Sequence, residues 1–132
     1  MEKYTPENIL KLEPNQIFVF GSNLAGVHGA GAAWIACKLF GAEMFVGKGL
    51  TGNCYAFPTK DKNIRTLPIN KIKAEVLDLF YCIQENPDKE FLITKVGCGL
   101  AGYTIEDIAP LFKSFKNLPN AIFPEEFEKY FK

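Results

Sequence analysis

A chain of 132 residues can bury one core without disulfides or a structural metal and is short for two domains, so a single domain over 1–132 is expected. Lys plus Arg and Asp plus Glu balance at 15 each, which removes the global positive field that gathers polyanions; non-specific nucleic-acid binding is disfavoured. The four cysteines (Cys37, Cys54, Cys82, Cys98) form no CxxC pair and share the chain with one histidine, so no metal site and no cofactor are expected.

The first residues lack a basic start followed by an apolar stretch, and no run reaches the ~18 apolar residues that span a bilayer. A cytoplasmic protein with free thiols and no membrane partner is the expectation. Residues 1–16, with prolines at 6 and 14, read as a short helix or an arm. Ile17-Phe18-Val19-Phe20 reads as the first strand, to about 21. The segment 30–40 is apolar nearly all round, with Trp34, Ile35, Leu39 and Phe40, and predicts a helix buried between layers that ends at Gly41. Short strands are expected at 44–46 and 54–58, joined by the glycine-rich 47–52 as a hairpin or flap.

The clearest helix starts near Pro68 and carries Ile69, Ile72, Val76, Leu79, Phe80 and Ile83 in one stripe, until Asn86-Pro87-Asp88 breaks it. A buried strand is expected at 91–96. Thr104 followed by Ile105-Glu106-Asp107 has the pattern of an N-cap with acids in the first turn, leading into a face of Ile108, Leu111, Phe112 and Phe115. A last strand at 121–124 and a terminal helix at 125–132 complete the order. No linker, low-complexity segment or repeat interrupts it.

Two glycine-rich loops stand out within this frame. Gly21-Ser22-Asn23 opens the first, which runs through His28 to Gly29-Ala30-Gly31-Ala32-Ala33; Gly97-Cys98-Gly99-Leu100-Ala101-Gly102-Tyr103 forms the second. Each lies between a strand and a helical segment. In an α/β sheet such turns sit at the carboxyl ends of strands, where glycine admits close backbone approach and helix amides attract anions, so a phosphorylated ligand is expected. His28 is flanked by loop glycines that favour exposure, and it is one acid–base candidate. Asp61, in the charged turn Lys60-Asp61-Lys62-Asn63-Ile64-Arg65, is another if that turn folds over the cleft. Cys98 is placed to touch ligand but has no activating base nearby in sequence. Asn23 has a bland reading as a turn former, and Trp34 as core.

Asn23 with Gly29-Ala30-Gly31-Ala32-Ala33, followed later by Val96-Gly97-Cys98-Gly99-Leu100-Ala101-Gly102-Tyr103, resembles the macrodomain family, with a closer likeness to small macrodomain-like proteins of phages and bacteria. The resemblance covers about 17–112. It implies a three-layer α/β fold, a mixed sheet flanked by helices, that binds ADP-ribose or a related nucleotide derivative. It also implies that Asn23 holds the distal ribose, that Gly29 to Ala32 line the first loop, and that Gly97 to Tyr103 surround the diphosphate. Hydrolysis of an ADP-ribosyl linkage on a modified macromolecule, with Asn23, His28 and Asp61 as candidate catalytic residues, is one expectation. A non-catalytic nucleotide sensor or interaction module is the alternative, and a nucleotide-modifying enzyme using Asp61 or His28 a third. Where many macrodomains carry an adenine-reading aspartate early in the domain, the 16 residues before the first strand here hold only Glu2, Glu7 and Glu13 as acids, and Phe20-Gly21-Ser22 replaces the frequent Asn-Ala-Ala.

Overall fold

Alternation of apolar side chains along β1 (Gln16–Asn23) decides the architecture, because both of its faces are buried. Ile17 and Val19 join one core; Phe18 and Phe20 join another. In this computed structural model, which describes residues 3–132, β1 is the middle of a five-stranded mixed sheet of order β2-β3-β1-β4-β5. β3 (Cys54–Lys60) and β4 (Glu90–Ile93) flank β1 in parallel, and β5 (Ala121–Ile122) lies parallel to β4. β2 (Gly49–Thr51) runs antiparallel to β3 at the edge. A sheet apolar on both faces must be covered on both, which gives the α/β layers.

One face is covered by α2 (Ile69–Glu85), whose Ile72, Val76, Leu79 and Ile83 are all buried. It starts at Pro68 as expected, since a residue without an N–H costs nothing there. The same face holds α3 (Ile105–Ile108) and the segment Ala109–Asn117. Thr104 caps α3 in a reciprocal box with Asp107, as the sequence predicts. The expected helix then tightens into a 3-10 turn, with Pro110 in its first turn. Its buried residues Ala109, Phe112 and Phe115 recur every third position, the 3-10 period, rather than the α-helical one. Phe112 and Phe115 meet Phe123 edge to face with ring centroids 5.5 and 5.9 Å away. The terminal helix is also of 3-10 type, Glu125–Phe131, and buries Phe127 and Phe131.

The opposite face carries α1 (Gly31–Leu39) and the N-terminal arm. The helix forms where it was expected, but it is not buried all round. Ala36 is its one buried residue, and Trp34 and Leu39 stand half exposed, so Trp34 is not core. The physical reason is that a nine-residue helix laid on a sheet presents one side to it, and here the arm covers the rest of the sheet instead of the helix's back. Within 3–15 the arm forms no helix. Tyr4 bridges to Phe123, the Thr5 N–H donates to the Phe123 carbonyl at 2.8 Å, and Ile9 enters the core. Residues 1 and 2 lie outside the described residues.

Three further expectations change. Residues 44–46 form a turn, not a strand: Phe45 takes φ +70° and is exposed, and its N–H donates to the Gly26 carbonyl at 2.7 Å. Residues 47–52 become hairpin, with Gly52-Asn53 joining β2 to β3. The strand expected at 91–96 ends at Ile93 because 94–98 leaves the sheet to build the second loop.

Candidate functional site

The chain leaves β1 toward α1 on one face of the sheet and leaves β4 toward α3 on the other. β1 and β4 are parallel neighbours, so the two loops diverge from adjacent strand ends and open a crevice between them, the topological switch point of an open α/β sheet. Their closeness is direct: a Cβ on Gly21 would sit 3.9 Å from the Gly97 amide nitrogen. A cavity of about 470 Å³ occupies this crevice.

Both loops line that cavity. Gly21, Ser22, Asn23, Gly31 and Ala32 come from the first, and Gly97, Cys98, Leu100 and Ala101 from the second. Gly29, Ala30, Gly99, Gly102 and Tyr103 belong to the same loops but not to its wall. Ala30 is the N-cap of α1, and Gly102 takes φ +96° to close the 3-10 turn Gly99–Ala101. Tyr103 donates its hydroxyl to the Leu67 carbonyl at 2.6 Å, fastening the second loop to the start of α2.

Asn23 reaches the cavity opposite a bulge in β3, where Thr59 is the extra residue, and its amide is already engaged in both senses. Its Nδ2 donates to the Val27 carbonyl at 2.9 Å, and its Oδ1 accepts the Val27 N–H at 3.1 Å. One hydrogen and one lone pair remain free for a ligand hydroxyl. His28 is not exposed as the flanking glycines suggested. It is 2 % exposed, with its ring edge-on to Phe20 and its Nε2 between the Glu43 and Val46 carbonyls at 3.1 and 3.0 Å, and it does not line the cavity. Asp61 also lies off the wall: its Oδ1 accepts the Asn63 and Arg65 N–H groups at 2.8 and 3.0 Å and so shapes its own turn.

The first turn of α1 has no side-chain cap and no acid, and Gly31 and Ala32 bring it to the cavity wall. Amides at such a helix start attract anions. Half-buried Lys60, at the end of β3 and in register with Asn23, adds a cation on the same wall and forms no ion pair among the described residues. The wall's carboxylates are Glu7 and Glu126, and Lys95 pairs with both, at 3.6 Å to Glu7 and more closely to Glu126. The hydrogen bond from Lys95 holds the Glu126 carboxyl below its ordinary range, and the same contact raises the lysine. Burial pushes the Cys98 thiol up, with Lys95 opposing more weakly, so the sulfur stays protonated and a poor nucleophile. The hydroxyls of Thr59 and Thr94 donate to the Ser22 and Val19 carbonyls, and that of Ser22 to the Gly47 carbonyl.

Sequence reasoning missed the arm, Thr59, Thr94, Lys95 and Glu126. Thr5 to Leu10 form one side of the cavity. No local pattern marks them, since what brings them there is pairing of Tyr4 and Thr5 with Ile122 and Phe123, more than a hundred residues away. Thr94 and Lys95 were legible only as strand.

No protein-family model, curated protein or solved structure matches the chain. Among the described residues no helix is long and apolar enough to cross a membrane.

Proposed function

We propose that this protein binds ADP-ribose or a related nucleotide derivative in the crevice between the two glycine-rich loops. The observation that carries the reading is the convergence of both loops, from adjacent parallel strands, on one cavity that also receives the uncapped start of α1. A cavity of about 470 Å³ falls within the ~300–1,000 Å³ of small-molecule sites. Backbone amides and Lys60 suit the diphosphate, the free half of the Asn23 amide suits a ribose, and Ile9, Leu10, Phe18 and Ile35 supply an apolar side for a base. The resemblance to macrodomains in the loop residues points the same way.

Binding without turnover is the form favoured here. Of the two carboxylates on the wall, Glu126 is held ionised by Lys95 and Glu7 is paired with the same lysine, Cys98 is kept as a thiol, and His28 and Asp61 are committed to backbone groups elsewhere. An ADP-ribosyl hydrolase remains the second reading: Asn23 would orient the ribose, and the ligand's own phosphate would position water. The four free thiols are in keeping with a cytoplasmic setting. Calorimetric titration with ADP-ribose, ADP, NAD and adenosine tests the proposal. ADP-ribose is expected to bind with adenosine markedly weaker; no heat or saturation with any of them at millimolar concentration refutes it.

A further inference from the structure

Among the described residues, His28 is a buried titratable side chain close to the site that the proposed function leaves unused. Its surroundings are specific. The Glu43 and Val46 carbonyls can only accept, so the nitrogen between them, Nε2, carries the hydrogen. Nδ1 is then a lone pair, and it is buried without a partner among the described residues. No titratable group comes from β1, which offers the Phe20 ring, and the 43–46 turn meets the imidazole through main-chain oxygens.

The contacts form a short chain leading to the cavity. His28 pins the backbone next to Val27 to the 43–46 turn, and Val27 holds both polar ends of the Asn23 amide. Ser22, on the other side of Asn23, donates to the Gly47 carbonyl at 2.5 Å, so the turn that receives His28 is itself fixed to the cavity strand. An amide in a glycine-containing loop would otherwise sample several rotamers, and ordering it on binding would cost affinity. We propose that His28 is the positioning residue for Asn23: its bifurcated Nε2–H bond to the 43–46 turn holds Val27 where it sets the Asn23 amide toward the ligand. This places the lone histidine behind the site, as an anchor and not an acid–base group. The ligand side of the argument rests on the ADP-ribose reading above; the positioning side does not.

Two variants separate donor from packing. His28→Phe keeps a ring against Phe20 and removes the N–H; His28→Gln keeps an N–H donor and removes the ring. In ligand-free protein, the Asn23 side-chain amide resonances are expected to shift and exchange faster in His28→Phe and to stay near their wild-type positions in His28→Gln. Unchanged resonances in a folded His28→Phe protein overturn the proposal. In calorimetry, His28→Phe is expected to weaken ADP-ribose binding roughly tenfold in the wild-type background and to add almost nothing to Asn23→Ala, the non-additivity of residues acting as one unit. An equal loss in both backgrounds would mean a general structural role and also overturns it. Should the wild type bind no ADP-ribose, the resonances alone decide the positioning role while the ligand reading falls. If His28→Phe fails to fold, His28→Leu replaces it. If neither folds, a displaced Asn23 amide in His28→Gln overturns the proposal and a retained one supports it.

Discussion

At the scale of single residues, Asn23 both closes a turn, through the ring its amide makes with Val27, and lines the cavity. Asn23→Ala removes both, so a loss of about 1 kcal/mol in stability is expected alongside weaker ADP-ribose binding, by roughly tenfold. Assaying hydrolysis beside the titration separates the two readings of function. A sensor loses affinity only; a hydrolase loses more turnover than affinity, because orienting the reacting ribose matters most in the transition state. The Lys95 pair supplies the pH dependence. The Glu126 carboxyl is lowered in the fold, so the stability it contributes is complete above the unfolded carboxyl's value and is lost as the pH falls through the folded one. Its side chain is 46% exposed, which keeps the effect small. Acid unfolding of wild type and Glu126→Gln, followed by circular dichroism, is expected to show the variant with the flatter acid limb. Cys98, raised by burial, is expected to react slowly with iodoacetamide at neutral pH, with a rate that climbs into the alkaline range.

At the scale of elements, the site depends on how each segment stops. β4 ends at Ile93, and Gly97 then takes φ +79° where a Cβ would stand 3.0 Å from Ile108 Cδ1. Gly97→Ala is expected to strain the loop twice, by conformation and by contact with α3, and to destabilise the protein by about 1–3 kcal/mol in denaturant titration. On the ADP-ribose proposal, affinity is expected to fall with it in the same variant by calorimetry, because the same backbone lines the cavity. α2 is the counter-example, an element that builds the core and has no residue on the cavity wall. Leu79 is completely buried, so Leu79→Ala is expected to cost about 2–5 kcal/mol, with affinity unchanged in the fraction that remains folded.

At the scale of the whole molecule, the sheet is a divider. Its two apolar faces send the connections after β1 and β4 to opposite sides, and the crevice follows from that divergence. A ligand that needs both walls binds the native state alone. At 100 times its dissociation constant it should stabilise the protein by about 2.7 kcal/mol, seen as a rise in Tm on thermal unfolding. The arm belongs to this scale too: Thr5 and Ile9 fasten it to β5 and the core, and Glu7 to Lys95. The cavity is complete only when both ends of the chain have docked.

The elements legible in the sequence were those whose signal is local. The stripe on α2, the Thr104 cap and the glycine loops after β1 and β4 rest on spacing, capping chemistry and backbone freedom, all readable within a few residues. Strand order, the burial of His28 and the exposure of Trp34 are not of that kind. An imidazole between two glycines looks exposed until a turn fifteen residues away offers it two carbonyls, and an all-apolar helix looks buried until an arm takes the place beside it. Sequence by itself determined that glycine-rich loops follow two strands of an α/β chain. The tertiary structure decided that they share one crevice, because only the pairing of β1 with β4 sets their ends side by side.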